Sequence, residues 1–188
     1  MKYTFSVFLL CITLFSYSQF RNDPYRDSDD GNFHIRNGKV FFQKTVNSPV
    51  NFEALKEKLQ SYNTPGAGFQ IKSTENDVMN GVLINYHLNW NYTDAKTRKI
   101  ADFLKNPVNA TIEVKKDGSG YQVTVNNIWF MDVQKPSNKK HNTLESYVTD
   151  KSGLLFTKNK KNLEALDMID ENFQWIFKMQ GSTKDTRF

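Results

Sequence analysis

The chain has 188 residues, 38% of them hydrophobic and 14% aromatic, and a formal net charge of +5. That length suits one domain, and that composition supplies enough apolar side chain for a core. The charge is too small to mark a polyanion-binding protein, and a single cysteine, Cys11, excludes a scaffold of internal disulfides.

The chain opens MKYTFSVFLLCITLFSYSQ, with one lysine, an apolar run from about Phe5 to Phe15, and Ser16 and Ser18 at the spacing of a cleavage site. These features predict a secretory signal peptide over residues 1–18, cut after Ser18. The run is shorter than the roughly 18 to 20 residues that span a bilayer, so no stable membrane anchor is expected after cleavage. Cys11 lacks the small residue before it that lipidation requires. Cleavage leaves 24 basic and 20 acidic residues, a charge of +4, and no cysteine, so the exported chain must fold without disulfides.

Residues 19–37 are polar and lack hydrophobic periodicity, which predicts a flexible leader. Its DSDDGN stretch does not fit a calcium loop, because aligning Gly31 with the loop's glycine puts Arg26 in the first ligand position. A single α+β domain is expected over residues 38–180, with a tail at 181–188. KVFFQKTV, residues 39–46, reads as its first strand. Phe52, Leu55, Leu59 and Tyr62 then share one face of a helix that Ser48 or Asn51 can cap. A second strand runs from Phe69 to about Asp77, and Asn80-Gly81 reads as the turn into a third.

The third strand includes INYHLNWNY, residues 84–92, where Ile84, Tyr86, Leu88, Trp90 and Tyr92 alternate with Asn85, His87, Asn89 and Asn91. A short helix capped by Thr93 or Asp94 should follow, with Ile100, Phe103 and Leu104 inward and Asn106-Pro107 as its stop. The fourth strand, ATIEVKK, turns through Asp117-Gly118 into the fifth. There Tyr121, Val123 and Val125 are odd but Ile128 and Phe130 are even. A β-bulge at Asn126-Asn127 restores the pattern, turning Trp129 and Met131 to the side of Gln122, Thr124 and Asn126. Residues 134–160 form a long basic excursion with apolar clusters at 144–148 and 154–156. The last helix starts near Asn162, with Leu163, Leu166, Ile169, Phe173 and Phe177 inward.

The order strand, helix, four strands, helix predicts an antiparallel sheet with two helices on one face. The signal peptide, KVFFQKTVNSPVNFEALKEKL, NATIEVKKDGSGYQVTVNNIWF and NLEALDMIDENFQWIFKM together resemble a secreted Bacteroidota family of unknown function with a TATA-binding-protein-like fold. The resemblance covers about residues 38–180 and implies fold and compartment, with no catalytic residues. In the fold's namesake the open sheet face grips nucleic acid. Export, a charge of +4 and the lack of a basic stripe argue against nucleic acid here.

No nucleophile elbow, zinc-protease helix or phosphate loop occurs, and the spacing of His34, His87 and His141 gives no metal site. No enzyme activity, metal or cofactor is therefore expected. The candidate site is a binding face made of Asn85, His87, Asn89, Asn91, Gln122, Thr124, Asn126 and Trp129, suited to an envelope or extracellular glycan, peptide or protein. Its alternative is an ordinary hydrated face, or one that residues 134–160 cover. A second candidate is a partner surface of Met168, Trp175 and Met179, nearly opposite the helix's apolar stripe; the competing view is that neighbouring segments bury it. A hydrolase of envelope polymers is a distant third.

Overall fold

The structure is a computed structural model, and it describes residues 28–89, 100–131 and 142–178. The core follows from alternation in the strands. Val40 and Phe42 in β3 (Lys39–Val46), Met79 and Leu83 in β5 (Val78–Tyr86), and Ile112 and Val114 in β6 (Val108–Asp117) all turn to one side and are buried. In β7 (Gly120–Phe130), Tyr121, Val123, Val125, Ile128 and Phe130 do the same. The edge strand β4 (Gly68–Glu75) adds Phe69. Each such side chain removed from water contributes about 1.5–3 kcal/mol before entropy is counted.

Among the described residues, three helices lie on that side. α1 (Phe52–Ser61) starts where the Asn51 side chain accepts from the Ala54 N–H, and it buries Leu55 and Leu59. α2 (Leu144–Val148) buries both its end residues. α3 (Lys160–Phe177), capped by Asn159, buries Leu166, Ile169, Phe173, Ile176 and Phe177. Aromatic edges knit the layers: Phe42 meets Phe173 at 5.2 Å between centroids, and Phe69 meets Phe177 at 6.2 Å. A 3-10 turn at Asp102–Lys105 places Phe103 face to face with Tyr147 at 4.2 Å.

The sheet is antiparallel, in the order β1 (Ser28–Asp30), β2 (Phe33–Arg36), β3, β7, β6, β5 and β4. From β3 to α3 the chain runs strand, helix, four strands, helix, the α+β TATA-binding-protein-like order expected, with α2 as an addition before α3. Within residues 134–160, the portion from Asn142 onward carries α2 and packs on the helix side, where Tyr147 also lies edge-on to Phe130.

Four expectations need correction. The leader is not flexible throughout: β1 (Ser28–Asp30) and β2 (Phe33–Arg36) extend the sheet beyond β3, and Phe33 and Ile35 are core residues. Within DSDDGN, Ser28–Asp30 is thus the first strand of a hairpin and Gly31-Asn32 its turn, with Gly31 at φ 60°. The β4–β5 turn is Asn76-Asp77, both at positive φ, as a type I′ hairpin demands. Asn80-Gly81 lies inside β5, where a Cβ on Gly81 would stand 2.9 Å from the Gln70 carbonyl. The long third strand ends at Tyr86, because Asn85 at φ 48° bulges it. That bulge turns Tyr86 and Leu88 to the core, whereas Ile84 stays half-buried on the opposite side from Leu83. The short helix expected after Tyr92 falls partly outside the described residues; its described end is the 3-10 turn. The proposed signal peptide, residues 19–27 and the tail also lie outside them.

Candidate binding face

The face of the sheet turned away from the helices is polar along β7. The bulge expected at Asn126-Asn127 is present: Asn127 has φ 51°, and the pairs Thr111↔Asn126 and Asn109↔Trp129 leave one extra residue in β7. Trp129 therefore shares the open face with Gln122, Thr124 and Asn126, all partly exposed. From the neighbouring strand, Gln43 Nε2 donates to Gln122 Oε1 and to Thr124 Oγ1, both at 3.3 Å. These long bonds hold the amides without exhausting their donors and acceptors.

β6 sits between two bulged neighbours. On one side the extra residue of β7 stands opposite Ala110, and on the other the pairs Leu83↔Ala110 and Tyr86↔Val108 leave an extra residue in β5. A bulge frees backbone groups from the ladder and sharpens the local bend and twist. Asn109 answers the first effect: its Oδ1 accepts from the Asn85 N–H at 3.1 Å. Thr111 answers it on the far side, donating to Asn126 O and accepting from Asn127 Nδ2. Asn109 Nδ2 and Asn85 Oδ1 are buried there with no hydrogen-bond partner, a costly arrangement for amides.

The asparagine row of residues 85–91 does not form one open face. Asn85 is the bulge itself, with its Nδ2 on Gly66 O at 3.2 Å. His87 is exposed beyond the end of β5. The Asn89 N–H donates to Asn172 Oδ1, buried in α3, so the chain has crossed toward the helix side. Asn91 lies outside the described residues. Asn109, Thr111, Asn127 and Gln43 take the place expected for the row. Asn109 was legible only through its parity with Thr111, which the stop signal of Asn106-Pro107 masked.

At the β2 end of this face, His34 Nδ1 and Arg36 Nη1 meet Asp29 Oδ1 at 2.7 and 2.9 Å. The hydrogen bond from His34, then that from Arg36, holds the Asp29 carboxyl below its usual range. Arg36 lies 6.0 Å over the Phe41 ring, and His34 is 5.4 Å from it.

The second candidate surface breaks up. Met168 is 8% exposed and belongs to the core, because α3 packs on more than its main stripe. Trp175 is 52% exposed, and Met179 lies outside the described residues. Among the described residues, no helix is long and apolar enough to cross a membrane, and no cluster of three His, Cys, Asp or Glu could hold a metal ion.

The described residues thus form an α+β protein with helices packed on one face of the sheet and none of them on the other. A DUF4468 family protein from Bacteroides ovatus ATCC 8483 is similar at TM-score 0.47 and 16% identity, over 84% of this chain and 94% of that one. A TBP-like protein from Parabacteroides distasonis ATCC 8503 is similar at TM-score 0.46 and 14% identity, over 76% and 93%. No residue role passes from either to this chain. No family model matches the chain, and no curated protein does.

Proposed function

We propose that the protein is an exported, non-catalytic binding module that holds a polar envelope or extracellular ligand, a glycan or an extended peptide, on its open sheet face. One observation carries the reading: the Asn126-Asn127 bulge sets the Trp129 indole on the same face as Gln122, Thr124 and Asn126. An indole offers a flat apolar plate, and amides donate and accept at once, which suits a chain of hydroxyls or peptide groups. Nucleic acid is not the ligand proposed, since the strip carries no run of cations.

Neutral and amino-sugar oligosaccharides and unstructured peptides should be titrated against the wild type, Trp129→Ala and Trp175→Ala, with circular dichroism to confirm folding. Loss of about 1–3 kcal/mol of stacking predicts roughly 5- to 150-fold weaker binding for Trp129→Ala and unchanged binding for Trp175→Ala. The reverse pattern favours the alternative, a protein-interaction subunit using the exposed indole of α3. Binding that both variants retain overturns both readings. Export has its own test: N-terminal sequencing of the protein from its cell envelope or medium should begin at Gln19.

A further inference from the structure

A second concavity lies on the other side of the sheet, between β3 and the C-terminal half of α3. It encloses about 520 Å³, within the range of small-molecule sites. Val46 and the Trp175 indole give it apolar surface, above the buried side chains of Phe42, Val123, Phe173 and Phe177. Lys44 stands between Phe42 and Val46 on the core-facing parity of β3, a position where a strand normally sets an apolar side chain. Its Nζ makes one hydrogen bond, to Gln174 Oε1, and no ion pair among the described residues.

The amide of Gln174 is itself committed. Its Nε2 donates to Asp170 Oδ1 at 2.6 Å, and Asn32 Nδ2 binds both oxygens of that carboxylate, at 2.8 and 2.9 Å. Asp170 is therefore held at one remove from the ammonium, by a neutral group. A half-buried ammonium facing an amide retains donors that a carboxylate satisfies better, because the opposite charge adds direct Coulomb attraction to the hydrogen bond. Lys178 adds a second cation to the rim against the one carboxylate of Glu171, so the groove favours an anion.

We propose that this groove binds a small amphipathic carboxylic acid, its carboxylate on Lys44 and its apolar body along Val46 and the Trp175 indole. The site is separate from the open face and does not depend on the reading given to that face. A half-buried cation beside an apolar wall, with Lys178 at the rim, matches one charged head on one apolar tail. An extended peptide would demand backbone partners distributed along the groove.

Decanoate is the probe, with 1-decanol as its uncharged counterpart and a short acidic peptide as competitor, measured by calorimetry on the full chain. Decanoate should bind the wild type and lose at least tenfold in affinity in Lys44→Met, which keeps the stem and removes the charge. Decanol should bind both proteins alike, and Val46→Trp, which fills the groove, should weaken decanoate and decanol together. Should Lys44→Met fail to fold, the wild type still decides: the ¹³C carboxyl resonance of bound decanoate must titrate below its free value. Absence of decanoate binding, equal binding by the folded Lys44→Met protein, an unshifted carboxyl titration, or displacement of decanoate by the acidic peptide at lower concentration each overturns the proposal.

Discussion

Asn63 and Gly68 show how one side chain can finish a sheet edge. Asn63 Nδ2 donates to Phe69 O at 3.0 Å while its Oδ1 accepts from the Phe69 N–H, so the amide imitates a neighbouring strand at the start of β4. Such pairing blunts an edge that could otherwise recruit another chain. The close approach requires Gly68, which has φ 120° and whose Cβ would fall 2.1 Å from Asn63 Oδ1 and 2.8 Å from Asn63 Cα. Gly68→Ala should therefore cost at least about 2 kcal/mol in chemical denaturation, from backbone strain and overpacking together. Gly66→Ala, at φ 78° with no atom within 4 Å, should cost only the left-handed backbone strain, about 1–2 kcal/mol. A different effect governs Asp167, whose carboxyl is pushed up by burial, then by the charges of Asp30, Asp170 and Glu164. Because the folded pKa is the higher one, the native state takes up this proton first as pH falls, and wild-type stability rises relative to Asp167→Asn. The variant should thus melt higher at pH 7, and its lead should vanish by about pH 4, near the ordinary carboxyl range.

At the scale of elements, the end of α3 is fastened from two sides. The buried Tyr121 hydroxyl donates to Phe177 O at 2.6 Å, and Lys58 Nζ from α1 donates to Trp175 O at 3.0 Å and to Lys178 O. These are the carbonyls that a helix C-terminus leaves without partners. Tyr121→Phe should cost about 1–3 kcal/mol, since it strands a buried carbonyl and leaves the ring in place. Burial, assisted by the charge of Lys178, pushes the Lys58 ammonium down to about 8 from 10.5. Between those values the unfolded chain holds a proton that the folded one has lost, so this group makes stability rise with pH across the window. Wild type compared with Lys58→Met should show that rise in denaturation midpoints from pH 8 to 10.5, and a constant difference below it.

For the whole molecule, the telling addition is the β1–β2 hairpin, whose Phe33 lies 5.6 Å from Phe42 and is 1% exposed. Phe33→Ala should cost about 3–5 kcal/mol, the price of a core phenylalanine, where a flexible leader would give no change in melting. The hairpin escaped the sequence because Phe33 and Ile35 are only two apolar residues amid charge, too few to establish a period. β3, α1, the β6–β7 hairpin and α3 were legible because their apolar positions repeat over longer runs, and Asn51, Asn159 and Gly118 punctuate them where such residues belong. The candidate face was half legible. In β7 the change from odd to even apolar positions disclosed the bulge; in β5 Met79 and Leu83 against Tyr86 and Leu88 carry the same signal, and the regular spelling of residues 84–92 concealed it.

The β7 bulge also determines how this chain tolerates a change in length. Excising Asn127 would bring Tyr121, Val123, Val125, Ile128 and Phe130 into one unbroken alternation, with Trp129 still on the face of Asn126. A frame-preserving loss of one codon, which in most strands inverts everything downstream, would here leave inside and outside as they were.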